Sequence, residues 1–598
     1  MMKLLAATFP AFLSVFVAAQ SASPPAKHFN DVTLDIINAN LAPDGFLRST
    51  VSANGTFPGP LIRAVKGDTL RVTVNNKLTD PTMRRSTTLD FDGIFFDTPN
   101  SFNEGTPFVT TCPFGPNVSY TYVLPLGEQT GTYWYHSQLS MQYADGLRGP
   151  LIIYDPNDPQ AHLYDVDDES TIWFISDWWH NSTLPMLQSY LQTQIIPVSD
   201  SGLFNGAGRY NGGPVTPYAV STVTKGKRYR MRLINASARS DFTVSIDNHT
   251  MTVIGTDGVA TVPHTVNVID MLAGQRYDIV VNTRYALLPL FPGVIKSKCA
   301  LCESVRLSRP SATTSTIRMY GKMGTEANEI YVAFTPQPGP IDDLRLNDIG
   351  NYWINTILGG GSPRHNLNLN VTFGRGILRY EGADIAEPTG PMTLGPVDPN
   401  RIPLNEWELV PLVPIPAPPA DVELTFVTSM TPNASSPSGF DSKWNINNVS
   451  YVSPEVPTLL KILEGANSDA DFNKTENTFV LPANKVIQVT FPPSTEDELH
   501  PFHLHGNNFW VIKSNGSDTI NEVNPIRRDV VGAGAGGTIL RFTTDRPWFF
   551  HCHIFWHMNA GLASVMAAGP NETRAAVHTT GAWDDLCDAY NALPPDLQ

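Results

Sequence analysis

Short runs in which apolar and polar residues alternate recur along the chain, separated by turn residues. Thr69-Leu70-Arg71-Val72-Thr73-Val74, Tyr229-Arg230-Met231-Arg232-Leu233-Ile234 and Val486-Ile487-Gln488-Val489-Thr490-Phe491 are three of them. Period-two alternation puts every second side chain on one face, the pattern of a half-buried strand. Abundant Pro and Gly between the runs supply the turns, so an all-β fold of sandwiches is expected rather than helices. A strand followed by a polar turn and a Gly-rich bend occurs in three places, which suggests a repeated β unit. At 598 residues the chain is several times the usual domain size, enough for three such units.

The first unit is placed at 28–158. It holds the run Gly131-Thr132-Tyr133-Trp134-Tyr135-His136 and, upstream, Thr87-Thr88-Leu89-Asp90-Phe91-Asp92-Gly93, whose two acids share a strand face. A solvated face is the simple reading of that acidic pair. The second unit, 165–390, contains Asp200-Ser201-Gly202-Leu203-Phe204-Asn205-Gly206 and the strand-like Arg276-Tyr277-Asp278-Ile279-Val280-Val281. Within it, about 284–346 has no sustained period, and so long a loop is unusual in a compact domain. That stretch carries Cys299-Ala300-Leu301-Cys302. Zinc, redox chemistry or a local disulfide would each use such spacing. With no second CxxC, a local disulfide or no function at all is favoured. Residues 391–420 include Pro414-Ile415-Pro416-Ala417-Pro418-Pro419 and read as an extended linker. The third unit takes 421–598.

Composition narrows the setting. Residues 1–20 combine Lys3 with an apolar run from Leu4 to Ala19, a secretory signal pattern. No later segment is long and apolar enough to span a bilayer, so a secreted, extracellular protein without a membrane partner is expected. Eleven N-x-S/T sequons, at Asn54, Asn117, Asn181, Asn235, Asn248, Asn370, Asn433, Asn448, Asn473, Asn515 and Asn571, agree with a glycoprotein of that compartment. The net charge of −16 excludes nucleic acid and anionic membranes as natural partners. Five cysteines are too few for a disulfide scaffold. If Cys552 binds metal, Cys112, Cys299, Cys302 and Cys587 remain, an even number in an oxidising compartment.

The densest chemistry lies near the C-terminus. His551-Cys552-His553 follows the apolar run Pro547-Trp548-Phe549-Phe550, and His557 comes four residues later. On a strand, His551 and His553 face one way and Cys552 the other, toward His557. One segment can then serve two metal sites, with Cys552 as a covalent wire between them. A thiolate with two imidazoles suits a trigonal blue-copper centre. A buried strand with satisfied histidines is the bland alternative, weakened by the fourth-position His. Upstream, His500-Pro501-Phe502-His503-Leu504-His505-Gly506 puts His503 and His505 on a shared face. Such a concentration, from fourteen histidines in all, is not core packing.

These residues resemble the multicopper oxidase family, especially fungal laccases and the related ferroxidases. The likeness covers most of the mature chain. It is strongest in GTYWYHSQLSMQYADGLRGPLIIYD from Gly131, HPFHLHGNNFWVI from His500, NPIRRDVV from Asn524 and HCHIFWHMNAGL from His551. The resemblance implies three cupredoxin-like domains, a type 1 copper in the third, and a trinuclear copper cluster between the first and third. It implies His500, Cys552 and His557 as type 1 ligands, with Leu562 in the axial position, where a non-coordinating side chain favours a higher reduction potential. The cluster ligands it implies are His136, His503, His505, His551 and His553. Asp200 matches the acid that laccases place near a phenolic substrate, where it would accept the proton lost on oxidation; a turn Asp is the alternative. Cys112 and Cys587 match the family's disulfide between the first domain and the tail.

The chain also departs from the family. Asp90-Phe91-Asp92 stands where the pattern has His-x-His, and His136-Ser137-Gln138 where it has His-Ser-His. Three of the family's eight cluster histidines are therefore missing. The 284–346 insert replaces a short turn and reads as a lineage-specific loop or an incorrectly predicted exon. The expected function is a monomeric, copper-dependent oxidase with Cys552, His557 and Asp200 as catalytic residues. It would take single electrons from phenols, other aromatics or a metal ion, with dioxygen as acceptor and its reduction impaired by the missing ligands. The alternative is a copper-binding or electron-transfer glycoprotein with a decayed cluster.

Overall fold

The computed structural model describes residues 29–96, 98–193, 195–284, 306–307, 316–323, 326–333, 350–359, 374–389, 401–432, 440–495, 498–544 and 546–598. Sheets dominate, as the alternation requires. The first unit is a pair of four-stranded sheets. In one, Phe29–Leu41 pairs in parallel with Thr69–Asn76; in the other, Asp90–Asp92 (β1) pairs antiparallel with Gly131–His136 (β2). The second unit packs a seven-stranded sheet with a five-stranded one. The third has two five-stranded sheets and a two-stranded ribbon, and its inner sheet contains His500–Leu504 (β3) and Pro547–Cys552 (β4). A short helix, Phe555–Asn559 (α1), follows β4 directly. A single contiguous core runs through all three units, including Phe502, Phe550 and Trp556, each with no exposed surface. Burying one such aromatic contributes about 1.5–3 kcal/mol.

The segment from 401 to 420 docks rather than floats. Leu404 and Leu412 donate backbone hydrogen bonds to Val268 and Ala260 of the second unit, and Ala417 donates to Glu522 of the third. Of the 284–346 stretch, Thr316–Met323 and Glu326–Ala333 form an antiparallel hairpin. Cys299, Cys302 and the leader 1–20 lie outside the described residues. So do the sequons at Asn370 and Asn433. One sequon is corrected: Asn235 is fully buried and its amide donates to the Ser240 and Met271 carbonyls, leaving no room for a glycan. Asn54, Asn117, Asn181, Asn248, Asn448, Asn473 and Asn571 are exposed. No described helix is long and apolar enough to cross a membrane.

The helix Gly581–Asn591 (α2) folds back onto the first unit. Cys587 is bonded there to Cys112, across 475 residues of chain. The Trp583 indole N–H donates to the Thr110 carbonyl, and Tyr590 meets Phe108 edge-on. A cross-link closing so long a loop restricts the unfolded chain strongly. Cys587→Ser is expected to cost about 2–5 kcal/mol. Limited proteolysis should show α2 cut earlier than in the parent; identical cleavage would mean that the aromatic contacts suffice.

Candidate metal centre

The pleat of β3 and β4 sorts the histidines onto two faces. Phe502 lies opposite Cys552 and His503 opposite His551 in the antiparallel register. His500, Phe502, Leu504 and Cys552 therefore share one side, and His503 and His551 the other. His553, just past the strand, donates its backbone N–H to the Pro501 carbonyl. α1 then carries His557 back over Cys552.

On the first side, His500, Cys552 and His557 converge, all buried. Cys552 Sγ lies 3.6 Å from His500 Nδ1 and 3.9 Å from His557 Nδ1, and the two nitrogens are 3.2 Å apart. An ion ~2.0 Å from each nitrogen and ~2.3 Å from the sulfur would hold its ligands at about these spacings. Burial pushes His500 down to about 4 and Cys552 well above the usual thiol range. The imidazole is thus a neutral donor, and a metal must displace the thiol proton on binding. Leu562 is fully buried beside them; its carbonyl accepts from the Cys552 N–H and its N–H donates to the His557 carbonyl, both at 3.0 Å. On the outer side of the ring, His557 Nε2 is 3.7 Å from Glu498, whose other oxygen is 3.6 Å from Arg239.

On the second side, the acids of β1 point into the protein. Asp90 and Asp92 are each about 1% exposed, which overturns a solvated acidic face. The register sets Asp90 opposite His136 and sends Phe91 the other way, edge-on to Tyr122. Two groups result. Asp92 lies 3.4 Å from His136, 3.3 Å from His503 and 3.1 Å from His553. Gln138 lies 3.2 Å from His551 and 3.5 Å from His505, whose Nε2 atoms are 2.8 Å apart. Asp90 sits between the groups, 3.5 Å from His136 and 3.6 Å from His505. A cavity of about 380 Å³ is lined in part by Gln138, Thr106, Phe549 and Met558.

Charge is balanced locally. Burial pushes Asp90 up to about 6. Burial also opposes ionisation of Asp92, but the His136 and His503 rings beside it hold it well below the usual carboxylate range. Burial alone would lower His505, yet Asp90 and Glu104 raise it to about 9. Glu104, hydrogen-bonded to His505 Nδ1, was not singled out in the sequence, and neither were Glu498 and Asp529. The Asp529 carbonyl accepts from His503 Nδ1 at 2.9 Å, and its carboxylate forms a buried fork with Arg276, both bonds 2.6 Å. Gly93 has φ +86°, and a Cβ there would strike Arg276 and Asp529. A Cβ on Gly274 would strike the His553 ring.

Asp200 makes its hydrogen bonds away from both groups. Its carboxylate accepts from the His180 backbone N–H at 2.8 Å, and its own N–H donates to Trp178. Trp179, next along, packs against Trp556, the neighbour of His557.

Family models described as "Multicopper oxidase" match residues 35–158, 169–287 and 451–572. The chain belongs to the multicopper oxidase family. It is 41% identical to Laccase-1 of Agaricus bisporus over 98% of this chain and 99% of the relative. Laccase-2 of the same organism is 39% identical with the same coverage. Among solved structures, the laccase of Botrytis aclada matches at TM-score 0.73 and 28% identity, over 96% of this chain and 93% of that one. Fet3p, a multicopper oxidase that functions in iron import, shares the fold at TM-score 0.73 and 21% identity, covering 96% and 98%. The fold is thus three cupredoxin-like domains, and this multicopper oxidase is a laccase-like, copper-dependent oxidoreductase rather than a decayed electron-transfer glycoprotein. Its first pocket fits copper. Its second, with two carboxylates and an amide among the imidazoles, does not fit an all-histidine cluster.

Removing one partner of a buried ion pair strands the other charge. Asp529→Ala is therefore expected to destabilise the protein by about 3–5 kcal/mol, read as a lower thermal midpoint. A midpoint within error of the parent would show that Arg276 finds compensation from Asp257.

Proposed function

We propose that this multicopper oxidase is a secreted enzyme that takes single electrons from phenolic or related aromatic substrates at a type 1 copper held by His500, Cys552 and His557. The compact buried triangle of those three side chains carries this reading. Copper supplies one-electron redox chemistry there. Leu562, buried beside the three donors, would offer no further ligand to a copper held there, which would favour a higher reduction potential. The apolar leader and the exposed sequons support secretion, and a monomer is the expected state.

The chain's own groups shape the substrate side. Glu498 faces the outer nitrogen of His557, and Arg239 steadies it. A phenolic O–H or aromatic N–H brought to His557 meets that carboxylate as hydrogen-bond acceptor. Asp200, more exposed, provides a second acceptor at the rim near Trp179. His551 and His553, the covalent neighbours of Cys552, carry the through-bond route to the second pocket. Dioxygen is the terminal acceptor, approaching through the cavity beside Gln138. With three imidazoles replaced, its consumption is expected to be slow.

Asp90→His, Asp92→His and Gln138→His together are expected to raise dioxygen uptake with a simple phenol at least about tenfold, measured with an oxygen electrode. No gain would sink the view that lost ligation limits turnover. Glu498→Gln should raise KM for the phenol by about 10–150-fold, the worth of one hydrogen bond to a charged group, while the blue colour stays. An unchanged KM would remove Glu498 from the substrate side.

A further inference from the structure

We propose that the second pocket is a mononuclear site, holding one borderline first-row divalent ion, copper or zinc, on Asp92, His136 and His553, with His503 closing the fourth side. Asp92 is the pivot. Its oxygens stand 3.1–3.4 Å from ring nitrogens of all three histidines. Two donors, each ~2.0–2.1 Å from a tetrahedral ion, are about 3.3–3.4 Å apart. The carboxylate is therefore already at ligand spacing from every ring.

Ring orientation points the same way. His136 Nδ1 is 2.9 Å from the Ser137 carbonyl, and His503 Nδ1 is 2.9 Å from the Asp529 carbonyl. Each Nδ1–H is used on the backbone, which leaves Nε2 facing Asp92 and available to a metal that displaces any proton held there. Metal-bound histidines are commonly braced in this way. His136 Nε2 and Asp92 Oδ1 have no hydrogen-bond partner although both side chains are about 1% exposed. Buried polar atoms left so are costly, and a cation satisfies both at once.

The other group shares part of this, since His551 Nδ1 is braced by the Cys552 carbonyl and Gln138 Oε1 and Asp90 Oδ2 also lack partners, but no carboxylate there meets three rings. Gln138 Nε2 is within reach of His505 and His551, whose nitrogens also meet each other, so the two Nε2 atoms are already engaged. An amide is a weak donor beside the imidazole it replaces. Asp90 and Glu104 converge on His505, but both carboxylates face the one Nδ1 of that ring, so this trio offers a single imidazole where Asp92 meets three. Imidazole and carboxylate together accept both copper and zinc, so the metal count, rather than the element, is the sharper claim.

The test is metal counting on the full chain, which needs no turnover and so stands apart from the oxidase reading. Protein loaded with copper alone, or with copper and zinc, is freed of loose metal and measured by elemental analysis and electron paramagnetic resonance. The expected result is one blue copper and one further ion per chain. With copper alone that ion gives a second, non-blue signal; with zinc present it is displaced silently. Cys552→Ser should lose the blue copper and keep the second ion, whereas Asp92→Ala should do the reverse. His136→Ala repeats the second test should Asp92→Ala fail to fold. Three ions in the pocket, none at all, or one that survives Asp92→Ala but is lost in Gln138→Ala would overturn the assignment.

Discussion

The fully buried fork between Arg276 and Asp529 is the contact on which the metal pocket depends. Arg276 comes from the second domain and Asp529 from the third, and the Arg276 Nε donates to the Thr132 carbonyl of the first. Two charges out of water are tolerable only with close geometry and filled hydrogen-bond capacity. Here the carboxylate is gripped at both oxygens, and the same residue's carbonyl holds His503. Gly93 lets β1 pass against the pair, so the chain direction that brings Asp92 inward is set by the space the fork occupies. Arg528 extends the network to Asp257 and Glu406.

Around that anchor the two metal pockets have diverged. His500, His503, His505, His551, His553 and His557 are split between the two sides of one sheet. Of the four first-domain positions that the family likeness implies, only His136 is an imidazole. The replacements bring negative charge into the interior, and the neighbouring histidines answer it, as the raised His505 and the lowered Asp92 show. The pocket is thus an ionic interface between domains as much as a donor set.

Much of this was legible in the chain. Alternation located the strands, and the period-two rule separated His551 and His553 from Cys552 before any coordinates. The Cys112–Cys587 pairing followed from the family likeness. Glu104, Glu498 and Asp529 were not legible, because an isolated acid normally reads as surface. Their partners lie far away: Glu104 meets His505 across 401 residues. Asp90 and Asp92 posed the same difficulty, since alternation says which side chains share a face but not whether water or protein covers it. The Asn235 sequon failed for the converse reason, since a triplet carries no information about burial.

Among the described residues the second domain contributes none of the converging donors, yet it acts as a splint for both faces of the pocket, through Gly274 against His553 and Arg276 on Asp529. Both lie at the start of the strand Arg276–Asn282. The stretch that begins at about 284 leaves from the opposite end of that strand, roughly 20 Å away at the usual rise per residue. A change in chain length beyond Asn282 would therefore enter the sheet at the end away from Gly274 and Arg276, where neither contact with the pocket is made.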